Sequence, residues 1–308
     1  MTGTRSTSRR LLPSLINLIL ILIAFLFPAS GAVAQEKLTI VTTILPLSDL
    51  VREIADTRAR VVQLIPPSAE IHHFQLTPSD VKVLLNADLL LAVGGGLEPW
   101  LERLEKSAID RKKTRILKFF DLLEISGYPG LRKGDPHIWL DLQADKLLVE
   151  KMVAELSSLD PEGTFYYRER GEKLAEKIAD LDRRFREELA SCQQRTVVVA
   201  GHDAFGYMAD RYNLKIISLS GPHPEAQPGV RKLQQIIKFI REHKIRVIFY
   251  ESSQPPLYAK TIARENGASL AALSAGVNLT SAQMAAKKNF LELMSDNLTA
   301  LKEALDCR

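Results

Sequence analysis

Residues 161–190, PEGTFYYRERGEKLAEKIADLDRRFREELA, carry no proline after the first position and, beyond the first turn, a single glycine, Gly171. Leu174, Ile178, Leu181, Phe185 and Leu189 recur at helical spacing, and opposite charges stand four apart between them. A helix of this length would extend ~45 Å at 1.5 Å per residue. Its polar face is too charged for a helix enclosed in a core, so the stretch reads as a spine between two lobes.

The sequence on either side alternates short β-branched runs with helical patterns. Before the spine, strands are expected at 38–43, 60–65, 88–93 and 114–119. Helices are expected at 46–55, from Pro78, from Glu98, and at 142–156. After it, strands are expected at 196–200, 215–219, 246–250 and 269–273. The helices there are expected at 204–211, 228–243 and 256–266, with one final helix over 281–305. Strands separated by helices argue for parallel βαβ units. The predicted fold class is therefore α/β: two lobes, each a mostly parallel sheet flanked by helices, joined by one long helix. The boundaries read as 35–159, 160–191 and 192–308.

The first 34 residues stand apart. Arg5, Arg9 and Arg10 precede an apolar run over 11–27, and Ala32-Val33-Ala34 supplies a small-x-small site. This is the layout of a secretory signal peptide, with cleavage expected after Ala34 and a periplasmic destination. Three of the 41 basic residues lie in this leader, so the formal balance of +4 falls to near neutral once it is removed. That excludes a nucleic-acid grip by charge. The oxidising compartment makes a Cys192–Cys307 disulfide the expected state of the only two cysteines.

Six histidines are present. The pair His72-His73 follows the second strand, His137 follows Asp135-Pro136, and His202 follows the first strand after the spine. Ligands of open α/β sheets bind beyond the carboxyl ends of the strands, so both lobes present imidazoles to a shared crevice. Glu251 also ends a strand. Imidazoles with a carboxylate nearby suit a divalent metal of borderline softness, zinc ahead of manganese or iron. Three imidazoles with an open position would also serve a zinc hydrolase, with Glu251 as general base, but no HExxH helix is present. His223, between prolines, and His243, at a helix end, read as structural. Thr77-Pro78-Ser79-Asp80 reads as a helix start. Gly94-Gly95-Gly96 lacks the Lys-Ser/Thr of a phosphate loop.

The segments IVTTILPLSDLVREIA, HHFQLTPSD, DPHIWLD, GHDAFGYMADRYNL and FYESSQPPLYAKTIARENGA occur in this order along the chain. In order and spacing they resemble the zinc- and manganese-type solute-binding proteins of ABC importers, over the whole chain after the leader. The resemblance implies a two-lobed protein that is not an enzyme, binds Zn2+ (or Mn2+), and delivers it as a monomer to a membrane permease with its ATPase. It selects His72 over His73, and adds His137 and His202 as ligands. A third histidine where manganese members carry a carboxylate points to zinc. Ser274 stands where the family commonly has an aspartate. Glu251 is therefore expected either as fourth ligand or behind an imidazole, with water completing the site in the second case.

Overall fold

Four short strands of the first half lie side by side in the order β2-β1-β3-β4, all parallel: β1 (Leu38–Thr42), β2 (Ala59–Gln63), β3 (Leu89–Ala92) and β4 (Arg115–Lys118). This comes from a computed structural model, which describes Gly3 and residues 37–110, 112–221 and 229–307. The rest of the leader, the expected cleavage site after Ala34, and His223 lie outside the described residues. β3 sits between two neighbours and is buried at all four positions, as an uninterrupted LLLA run requires. The helices of this lobe are α1 (Leu45–Ala55), α2 (Pro78–Leu85), α3 (Pro99–Ser107) and α4 (Phe119–Ile125). Thr77 begins α2 with a reciprocal capping box to Asp80, as the Thr-Pro-Ser-Asp run predicts.

The second sheet repeats the plan in the order β6-β5-β7-β8, again all parallel: β5 (Thr196–Val199), β6 (Lys215–Ser218), β7 (Val247–Glu251) and β8 (Ser269–Leu273). One long helix connects the lobes. α5 (Leu142–Leu159) packs along α6 (Thr164–Ala190), the long helix. Their backbones approach closely at Gly171, where a Cβ would overlap Val153. α6 buries Tyr167, Leu174, Ile178, Leu181, Phe185 and Leu189 against both lobes and leaves its charged face outside.

α7 (Gly206–Tyr212), α8 (Val230–Glu242), α9 (Leu257–Asn266), α10 (Ser281–Ala285) and α11 (Phe290–Ala304) complete the second lobe. The single final helix expected over 281–305 is in fact two. Lys287 adopts a left-handed φ of 51°, and Asn289 then caps α11 in a box with Glu292. The expected fourth strand ends one residue early, because Phe119 opens α4. Cys192, just after α6, is disulfide-bonded to Cys307, just after α11. Among the described residues no helix is long and apolar enough to cross a membrane.

Candidate metal centre

His72 lies on the loop between β2 and α2, His137 just ahead of the 3-10 turn Ile138–Leu140, and His202 just past β5. The two lobes bring these three rings together. Their centroids stand 5.2 Å (His72–His137), 5.5 Å (His72–His202) and 5.1 Å (His137–His202) apart, a nearly equilateral triangle. Each offers a ring nitrogen within 4.8 Å of the other two. Among the described residues no other set of three His, Cys, Asp or Glu side chains converges in this way. His137 is 1% exposed and His202 6%, whereas His72 is partly open.

Carboxylates set the tautomers. Asp135 Oδ1 accepts from His137 Nδ1 at 2.8 Å and from its backbone N–H at 3.0 Å. Glu251 Oε1 accepts from His202 Nδ1 at 2.7 Å and from its backbone N–H at 2.9 Å. A carboxylate accepts, so each Nδ1 carries the proton and each Nε2 is left with a lone pair. The two Nε2 atoms then face each other at 3.2 Å. Two lone pairs at that range repel unless a cation lies between them. Two nitrogens on one tetrahedral zinc at 2.0–2.1 Å would stand about 3.3 Å apart. Spacing and chemistry both fit a zinc-sized cargo ion.

Glu251 is the last residue of β7, the neighbour of β5, so its side chain reaches His202 across the strand ends. It stands behind the imidazole, on the side away from the other two rings. Gly201 makes this possible, because a Cβ there would overlap Glu251 Oε1. Ser274 is buried, and its Oγ accepts from Gly276 N–H at 3.1 Å. His73 lines the open groove beside His72. His243 bonds through Nδ1 to Phe239 O at the end of α8, a helix-end role.

Several contributors carry no strong sequence signal. Trp139, fully buried, packs its ring 5.2 Å from His137. Tyr207 Oη, from α7, donates to Asp135 O at 3.0 Å and accepts from Arg132 N–H at 3.1 Å, fixing the His137 loop from the other lobe. Arg132 pairs with Asp135 Oδ2 at 3.1 Å and with Asp210 of α7 at 2.5 Å. The Asp-Pro-His spacing was the one available sign of Asp135, since a residue two positions before a ligand can accept from both of its N–H groups.

Residues 40–304 match the family described as zinc-uptake complex component A, periplasmic. The chain belongs to this family. The family is a zinc-uptake component, not an enzyme, so the hydrolase alternative falls. The chain is 28% identical over 282 residues to the high-affinity zinc uptake system protein ZnuA of Bacillus subtilis, covering 88% of each. It is 27% identical to the zinc-binding protein AdcA of Streptococcus pyogenes serotype M1, of which it spans 58%. Among solved structures, the metal-dependent lipoprotein YcdH of Bacillus subtilis superposes with a TM-score of 0.78 at 28% identity, over 87% of this chain and all of that one. The Zn(II)-bound ZnuA-like domain of Streptococcus pneumoniae AdcA gives 0.76 at 28% identity, over 88% and 99%. These neighbours share the two parallel-sheet lobes and the long helix between them.

Proposed function

We propose that this chain is exported, loses its leader after Ala34, and captures Zn2+ in the periplasm for delivery to an ABC permease and its ATPase. The carrying observation is the convergence of His72, His137 and His202, two of them locked by carboxylates with Nε2 turned inward. Three imidazole nitrogens favour zinc over manganese, which prefers oxygen ligands. Asp135 and Glu251 each stand one imidazole away from the ion and offset its double charge without occupying a coordination position. Water fills the fourth position, which leaves the ion exchangeable at the moment of transfer.

Elemental analysis of natively purified protein should find about one zinc per chain, and its intact mass should begin at Gln35. Replacing His72, His137 or His202 by Ala should weaken zinc binding by more than the roughly 10–100-fold typical of a lost outer partner. Replacing His73, His223 or His243 should change it little. Binding should also weaken in acid, because protonated imidazole is no ligand. Equal losses across all six histidines would refute the site.

A further inference from the structure

The segment after β8, residues 274–279, belongs to the second lobe and grips both ligand-bearing loops of the first. Trp139 Nε1 donates to Ala275 O at 2.7 Å, two residues beyond His137. The Asn278 side-chain amide spends both of its N–H donors on the loop that leads to His72, at 3.0 Å to Pro67 O and 2.8 Å to Ala69 O. Leu279 N–H adds a bond to Pro67 O at 3.1 Å.

The grip is itself anchored. Asn297 of α11, almost fully buried, accepts from Ser274 N–H and donates to Ser274 O, both at 2.8 Å. Gly276 turns the segment with φ 80°, and a Cβ there would press on the Phe290 ring at 2.8 Å. On the receiving side, the loop from Pro66 is a tight turn with no helix or strand of its own. Ala69 N–H bonds to Pro66 O at 2.9 Å, His72 N–H bonds to Glu70 Oε1 at 2.9 Å, and Ile71 is buried. A displacement at Pro67 and Ala69 is therefore passed on to His72 rather than absorbed.

We propose that Asn278 is a positioning residue of the metal centre: its amide, held by the second lobe, sets the seat of His72 in the first. The inference rests on the zinc reading above. The His137 and His202 rings are aimed by carboxylates, and the loop carrying His72 is held from across the lobe interface by Asn278. Zinc affinity and lobe apposition are thereby linked, since parting the lobes breaks the Asn278 bonds and releases the His72 loop together.

The test is a double-mutant cycle on the full exported protein, with zinc affinity read by competition against a chromophoric chelator. Asn278→Ala should weaken binding about 10-fold, in the range of outer-shell partners. Asn278→Leu, which keeps the volume but cannot donate, should do the same. In a His72→Ala background, Asn278→Ala should change affinity by less than about two-fold, because its route to the ion is gone. Thermal melting of each metal-free variant separates a loss of fold from a loss of aim. The inference is overturned if Asn278→Ala binds zinc like the unmodified protein, or if its loss is undiminished beside His72→Ala. If His72→Ala alone leaves zinc affinity intact, the metal reading of His72 fails, and this inference fails with it.

Discussion

At the scale of single residues, the centre depends on where two carboxylates can stand. Glu251 reaches His202 only because residue 201 has no side chain, and the backbone of Gly201 is not in a glycine-only region. The glycine is thus required by contact rather than by conformation. Gly201→Ala should push Glu251 off Nδ1 and weaken zinc binding about 10–100-fold, as should Glu251→Ala. Combining them should be no worse than Glu251→Ala alone, since the new methyl then has room. A double variant that multiplies the two losses would show that Gly201 acts elsewhere. The three candidate histidines were legible, His202 from the strand end it follows, His137 from Asp135-Pro136 before it, and His72 over His73 only through the family resemblance. Their backing was not: Asp135 and Glu251 matter through which atom of the ring they touch, and residue order does not encode that. Glu251 was left between ligand and support in the sequence, and its hydrogen bonds place it behind Nδ1.

At the scale of elements, helix ends decide more than helix interiors. The spine was legible from its apolar spacing, but the break between α10 and α11 was not, although Asn289 and Glu292 carry the capping signature. Apolar residues on both sides keep helical spacing across the break, so periodicity alone runs through it. A second link at the same helix start has consequences for pH. Asp49 of α1 accepts from Phe290 N–H at 2.8 Å, joining α1 to the first turn of α11. Burial outweighs that hydrogen bond and Arg52 nearby, and raises the Asp49 carboxyl from 3.8 to about 6. A raised acid binds its proton more tightly in the folded state. Stability from this group is therefore fully present below about pH 4, is lost as pH rises to about 6, and stays lost above it, by at most about 3 kcal/mol. Asp49→Asn keeps an acceptor for Phe290 and cannot ionise. Its stability relative to the unmodified protein should rise between pH 4 and 6 and then level off, measured by urea unfolding at several pH values. A difference that does not vary with pH would show that Asp49 ionises freely.

At the scale of the molecule, lobe, helix and lobe could be read in order along the chain, but not how firmly they are joined. The contacts that join them span long sequence distances. Asn278 reaches back to Pro67 and Trp139 to Ala275, and no local pattern announces such pairs; only the Cys192–Cys307 bond was expected, from the oxidising compartment and the count of two cysteines. Each removes a degree of freedom that a hinge would need. α6 packs on α1 and α5 from one side and on α7 and α11 from the other, so bending it would expose apolar surface in both lobes. The disulfide fixes its C-terminal end to the end of α11, and Lys302 of α11 pairs with Glu188 of α6 at 2.5 Å beside it. Domain closure by large hinge rotation uses a few connecting residues that absorb the change, and a packed 27-residue helix offers none. Zinc should therefore tighten the two loops around the ion without swinging the lobes. For a mature chain of this size the radius of gyration is about 19 Å, and zinc addition should change it by less than about 1 Å in X-ray scattering. The same titration should markedly slow amide exchange in residues 66–72 and 135–139, where the ligands sit. A compaction of several ångströms would mean that the spine bends, and that the interface bonds around Asn278 form only once the ion is bound.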